Sequence, residues 1–417
     1  MAVLKPFKGL RPPKTIVEKL SCLPYDVMNS QEAAQMAEGK KESLLHVTHA
    51  EMDCPPETDI HSEIIYNKAV ENFNTMQNEG WLIMDDEPRF YIYAQTMDGR
   101  TQYGIVGCAW WEDYFINDVI KKHELTRPDK EDDRMQLTNY TNANIEPVFF
   151  SYRAVPEIDE IVDGIIKNQQ PDYDFVAEDG FGHHFWPVNC AETNKRIEEL
   201  FSTKVDALYV ADGHHRTAAA SRIGRERASN NPNHTGNEEY NFFMAVNFPD
   251  NQLKILDYNR VVKDLNGLST EEFFEKLSMV MDIEKMGEEI YKPAKLHEFS
   301  MYIDGHWFKL NAKEGTYDDN DPMKILDVNV LSDYVLDKIL GIDDLRTSKR
   351  IDFVGGIRGL GELKRRVDSG EMAVAFALYP VSMKQLLDIS DTGNIMPPKT
   401  TWFEPKLRSG LVIHKLD

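Results

Sequence analysis

The chain has only four cysteines in 417 residues, Cys22, Cys54, Cys108 and Cys190, and their spacing forms no metal-finger pair. A disulfide scaffold and a structural zinc module are therefore excluded, and reduced thiols are expected. No stretch reaches the roughly 20 apolar residues of a membrane span. Residues 1–10 lack the apolar core of a signal peptide, so a cytoplasmic setting is expected. Basic residues are also short: 47 Lys and Arg face 70 Asp and Glu, a net charge of -23. That balance argues against passive adhesion to nucleic acid or an anionic membrane while leaving small anionic ligands open. No solenoid period and no basic helix-turn-helix pattern occur, and Gly355-Gly356-Ile357-Arg358-Gly359 lacks the remainder of a phosphate-loop motif.

What is present is an ordinary globular composition, 41% hydrophobic and 28% charged, over a length sufficient for two or three cores. The pattern predicts a mixed α/β region over residues 1–260, a smaller α+β module over 261–390, and a closing segment over 391–417. Helices are expected over 30–41 with Ser30 as cap, over 58–79 with Ile64, Ile65, Ala69 and Phe73 on the apolar side, and over 115–122, 129–143, 158–168 and 192–201. Strands are expected over 44–48, 89–96, 103–110, 148–152, 205–210 and 240–247. Met97-Asp98-Gly99-Arg100 supplies a hairpin loop. In the second module, 270–279 reads as a helix, 299–303 and 307–310 as paired strands, and 322–340 as a helix with a break.

One phrase concentrates chemistry at a strand-to-helix junction. Ala211-Asp212-Gly213-His214-His215-Arg216 follows an apolar run and precedes Thr217-Ala218-Ala219-Ala220, a helix start. A turn there directs backbone donors and a helix dipole toward an anion. Gly213, Arg216 and Ala219 satisfy Gly-x-x-Arg-x-x-Ala: glycine permits close approach, arginine offers up to five donors, and alanine lets the helix pack one turn on. Asp212 is a candidate ligand for magnesium or acceptor of a hydroxyl proton, while adjacent histidines alone do not make a zinc site. A purely structural turn is the competing reading.

Other phrases carry less. Lys121-Lys122-His123-Glu124-Leu125-Thr126-Arg127 and Glu131-Asp132-Asp133-Arg134 offer Glu124 as a candidate base and Arg127 and Arg134 as phosphate partners. The same residues equally suit a solvated helix laced by salt bridges. Asn144 and His123 are candidate substrate contacts. Arg260, in Tyr258-Asn259-Arg260, suits either an anion or an interface ion pair. His183-His184 suits a ligand-contacting hairpin or one packed on the core. In Pro397-Pro398-Lys399, the lysine is a candidate for projecting toward an anion, and Leu411-Val412-Ile413 is expected to join a sheet.

Taken in order, Lys122-His123-Glu124-Leu125-Thr126, Asp133-Arg134, Ala143-Asn144, the 211–216 phrase, Tyr258-Asn259-Arg260 and 396–403 resemble a widespread bacterial and archaeal family related to free L-serine kinases. The resemblance implies an α/β (α+β) fold with a ParB/sulfiredoxin-like nucleotide-binding core. It implies transfer of a phosphoryl group from ATP or ADP, with Mg, to the hydroxyl of free L-serine. On that expectation Glu124, Asp212, His214 and Arg216 are catalytic, and Gly213, His215, Arg216, Thr217, Arg127 and Arg134 hold the nucleotide. His123, Asn144 and Arg260 contact the substrate, and Asp212 binds the metal. The expected partners are a nucleotide and L-serine, with no nucleic acid and no membrane, and a homo-oligomer is left open. The alternative is a nucleotide-responsive regulatory protein without turnover.

Overall fold

A computed structural model describes residues 1–417 and shows a mixed α/β fold with several sheets. The chain divides into two units, residues 1–253 with 405–417, and residues 254–404. No helix is long and apolar enough to cross a membrane.

The first unit is built on a nine-stranded sheet. Its order runs Ile120–Lys121, Leu208–Asp212, Val148–Tyr152, Phe242–Pro249, Arg100–Trp110, Tyr91–Met97, Gly182–Pro187 and Tyr173–Val176, with Leu4–Lys5 added to Arg100–Trp110. Tyr91–Met97 and Arg100–Trp110 form the expected hairpin, with Asp98 and Gly99 both at positive φ as a tight two-residue turn requires. Phe150, Tyr152, Leu208 and Val210 pack with Ile158, Ile197, Leu200 and Phe201, so helices Pro156–Asn168 and Ala191–Lys204 share the sheet's apolar core. A second core gathers Leu45, Val47, Ile65, Tyr66, Phe73 and Leu137, which joins helices Glu63–Asn78 and Pro128–Thr141. Ile413–Lys415 lies between Gly9–Arg11 and Ala143–Asn144 in a four-stranded antiparallel sheet, as its apolar run predicts.

Four local expectations are corrected. Residues 44–48 are not a strand: Leu45–Thr48 is a short helix, since Leu44, Leu45 and Val47 bury on a helical corner that so short an apolar run does not distinguish from a strand. Residues 115–122 do not form a helix. Glu112–Phe115 ends, Asp118 turns the chain at φ 51°, and Ile120–Lys121 pairs in parallel with Leu208–Tyr209, so tertiary pairing overrides local preference. Asn29, not Ser30, caps Ser30–Ala37, in a capping box closed by Glu32. Ile64 points to solvent at 61% exposure, and Ile65, Tyr66, Ala69, Phe73 and Met76 form the buried side.

The second unit carries a six-stranded antiparallel sheet in the order Met281–Gly287, His306–Ala312, Glu298–Ile303, Val374–Leu378, Tyr258–Val262 and Ile351–Gly355. Its core includes Val261, Tyr302, Trp307, Val354 and Leu363. The expected break in 322–340 is present: Asp327–Leu331 widens at once into a looser turn over Ser332–Asp337.

A candidate anion site at the Gly213 turn

The apolar strand Leu208–Asp212 delivers Asp212 to the point where the chain turns into the 17-residue helix His214–Asn230. Gly213 makes that turn at φ 86°, a conformation that glycine adopts freely. No side chain caps the first turn of the helix. Thr217 is fully buried, and both its N–H and its hydroxyl donate to the Gly213 carbonyl, at 2.8 and 3.0 Å. It braces the turn from behind. The donors at the helix start and the positive end of the dipole are thus left to whatever sits before Gly213.

Arg216 extends from this first turn and is 7% exposed. Its Nη1 donates to the Pro147 carbonyl at 2.6 Å, its Nη2 lies 3.6 Å from Asp26, and its buried Nε has no partner. Burial alone would weaken its charge, but Asp26, Glu146 and Asp212 outweigh that and raise its pKa. The Asp212 carboxylate accepts from the Gly213 N–H at 2.8 Å through Oδ1 and pairs with Lys406 at 3.1 Å through Oδ2. Burial pushes Asp212 up, yet Lys406, Arg216 and the Gly213 N–H hold it at about 2. Asp26 behaves oppositely. The protein packed around it raises its pKa, helped by Asp212 and Glu146 and opposed by Arg216 and Lys406, although the side chain keeps 37% exposure.

The imidazoles differ from one another. His123, 1% exposed, meets His214 edge to face at 4.5 Å. Burial lowers His123 to about 4 and His214 well below its ordinary value, so both rings are neutral at neutral pH. His214 Nε2 is buried without a partner. His215 accepts the Arg127 N–H on Nε2 at 3.1 Å, which leaves its ring proton on Nδ1.

The remaining sequence candidates are distributed around and away from this centre. Arg127 is exposed and pairs with Asp129 at 2.8 Å, so its backbone rather than its guanidinium serves the turn. Arg134 stacks over Tyr25 at 3.7 Å and bridges Asp133 at 2.6 Å and Glu146 at 3.5 Å. Salt bridges therefore lace the 129–134 helix, as the plainer reading of that phrase has it. Glu124 is half-buried in the segment that carries His123. Asn144 is buried in the small sheet, where it accepts from Met244 N–H at 3.2 Å and faces His414 at 3.1 Å. His183 is buried against Tyr93 in the large sheet, so its hairpin packs on the core. Arg260 belongs to the second unit; at 1% exposure it donates to the Tyr258 carbonyl and lies over Phe353 at 5.3 Å, and burial lowers its pKa to about 10. Lys399 also lies in that unit, over Tyr258.

Four contributors carry no sequence motif. Lys406, in the C-terminal segment, is the cation that reaches Asp212. Asp26 and Tyr25 come from an unpatterned loop near the start of the chain. Glu146 accepts from Tyr25 N–H at 2.9 Å and Ser409 Oγ at 3.2 Å, so it ties that loop to the C-terminal segment.

The donor set does not fit a resident divalent ion. Both oxygens of Asp212 are engaged, and no group of three or more His, Cys, Asp or Glu side chains is arranged to hold a metal. The cations beside the turn are Lys406 and Arg216, each facing a carboxylate, Asp212 and Asp26 respectively. A Gly213→Ala variant is expected to lose about 1–2 kcal/mol of stability from left-handed backbone strain. Its added methyl would also meet Arg216 Nε at 3.2 Å and displace the guanidinium. Thermal unfolding and anion binding on the same sample check both effects.

The family described as "Protein of unknown function (DUF1015)" matches residues 4–329. Among solved structures the chain is similar to a free serine kinase in complex with AMP, at 12% identity and TM-score 0.35, over 70% of this chain and 89% of that one. It is similar to SbnI with C-terminal truncation from Staphylococcus aureus at 12% identity and TM-score 0.38, over 74% and 87%. It is similar also to a conserved hypothetical protein from Pyrococcus furiosus at 14% identity and TM-score 0.33, over 70% and 93%. No curated protein matches the chain.

Proposed function

The chain belongs to the DUF1015 family, and we propose that its Gly213 turn binds the phosphates of a nucleotide for phosphoryl transfer to a small hydroxylated molecule. The observation that carries this reading is the uncapped start of a 17-residue helix behind a left-handed glycine, flanked by Arg216 and Lys406. Such a start presents backbone donors and partial positive charge, and two cations beside it supply the compensation that a phosphate requires. The donor is ATP or ADP, and the acceptor implied by the sequence resemblance is free L-serine, which gives O-phospho-L-serine.

In the transfer, the acceptor hydroxyl oxygen forms a bond to the terminal phosphorus as the bridging P–O bond breaks. The shortened nucleotide leaves with that oxygen, and the hydroxyl proton passes to a carboxylate. Asp212 is a poor acceptor for this proton, because at a pKa of about 2 it is a stable anion whose work is to hold Lys406. Asp26, partly exposed, raised in pKa and close to Arg216, is the better placed base. Glu124 stays a candidate from the sequence. Arg216 follows the charge that develops on the transferring group.

Nucleotide binding without turnover is the second reading, and it is favoured by the pairing of Asp212 with Lys406 at 3.1 Å, which leaves the carboxylate at the turn a weak base. A panel of nucleotides incubated with L-serine and other hydroxylated metabolites, with products identified by mass, separates the two. Phosphorylated acceptor supports transfer. Bound but unconsumed nucleotide supports the regulatory reading, and absence of any nucleotide binding overturns both.

A further inference from the structure

We infer that the nucleobase of the bound nucleotide occupies a cavity in the helical layer of the first unit. This inference rests on the Gly213 turn being the phosphate site. The cavity, of about 210 Å³, is enclosed by the Tyr25 loop, the 47–51 segment and helices Glu63–Asn78 and Pro128–Thr141. Its floor is apolar, built from Val47, Ile65, Ala69 and Leu137. An apolar floor beneath a polar rim suits a flat heterocycle.

The polar rim narrows the class of ligand. Asp133 is already compensated: it accepts from the Tyr66 hydroxyl at 2.8 Å, pairs with Arg134 at 2.6 Å and lies 3.2 Å from the His61 ring, while Glu51 Oε1 accepts from Ser30 at 2.6 Å. One cation is available: Lys130 lines the cavity and makes no ion pair. His49, 6% exposed, is held by Thr48, whose hydroxyl lies 3.3 Å from its Nδ1, so its ring serves as a fixed wall. A cationic donor beside an apolar floor matches the ring-nitrogen acceptors of a base. At the mouth, Ile60 keeps 53% exposure, an apolar side chain left in water where a ring would cover it.

Continuity with the turn comes from two adjacent residues. Tyr25 lines the cavity, and Asp26 lies 3.6 Å from Arg216. Arg134, stacked on Tyr25, also lines the small cleft that contains Arg216 and Ala219. A nucleotide with its phosphates at Gly213 thus has the cavity on the Tyr25 side of its anchoring arginine.

The test uses the full chain with 8-azido-ADP as a photoprobe, peptide mapping by mass, and calorimetry of ADP and of inorganic tripolyphosphate. Label is expected on peptides from 47–69 and 130–137. Ala69→Leu, which fills the floor, is expected to weaken ADP by about tenfold or more while tripolyphosphate affinity is unchanged. Ile60→Ser, at an exposed position where folding is not at stake, is expected to weaken ADP in the same direction. Label confined to other segments, with tripolyphosphate still bound, overturns the cavity and spares the turn. Label in the cavity with no tripolyphosphate binding keeps the cavity as a base site and overturns the turn as the phosphate site.

Discussion

An Arg216→Lys variant is expected to fold and to lose phosphoryl transfer by on the order of a hundredfold or more. Lysine retains a positive charge near Asp26 and Glu146, so the buried carboxylates keep a counter-ion. It cannot reproduce a planar fork that donates to the Pro147 carbonyl at 2.6 Å while directing other N–H groups at Asp26 and the turn. Arg216→Ala removes the charge as well. Because Arg216 is 7% exposed, that change leaves acids uncompensated in a packed setting, and about 3–5 kcal/mol of stability is expected to go with it. The pair of variants therefore separates a chemical role from a structural one. Steady-state transfer, nucleotide calorimetry and thermal unfolding are measured on both. Unchanged turnover in a folded Arg216→Lys protein would remove this arginine from the mechanism.

That arginine was legible because its signal is local. A strand, a glycine, an arginine three residues on and an alanine three further lie in one continuous phrase, and the period of an apolar strand running into an alanine-rich helix gives it a place. The same holds for the hairpin at Asp98-Gly99 and for helices whose apolar stripe spans several turns. Asp26, Glu146 and Lys406 carry no such mark. Each sits in a loop or bend, and they meet only because residues 405–417 return to the first unit and the Tyr25 loop is tied to Glu146. Lys399 illustrates the cost of judging by composition alone. It stands in a proline-restricted phrase that suggests a fixed, outward cation, yet it lies over Tyr258 in the second unit, and the lysine seven residues later reaches the turn. Short segments failed for a related reason. Ile120–Lys121 is a strand only because Leu208–Tyr209 is beside it, a partner that no local window contains.

Lys406→Met is expected to lower stability at neutral pH by on the order of 2 kcal/mol and to flatten the acid limb of the stability profile. Asp212 is depressed to about 2 in the folded protein, against about 3.9 in an unfolded chain. A depressed carboxylate contributes stability that is fully present above the unfolded value and disappears as pH falls through the folded one, so the wild-type loss should run between about pH 4 and pH 2. Removing Lys406 takes away the strongest partner that opposes burial, and the Asp212 pKa then rises toward or beyond its ordinary value. The window moves up or vanishes, and the neutral-pH advantage goes with it. Asp212→Asn in the same background should restore much of the loss, since a neutral amide needs no cation beside it. Denaturant unfolding across pH for the two single variants and the double variant gives the coupling directly. Nucleotide binding supplies a second readout. If Lys406 serves the phosphates as well as Asp212, the double variant regains stability but not affinity, whereas a lysine that only balances the carboxylate would leave affinity as high in the double variant as in the wild type.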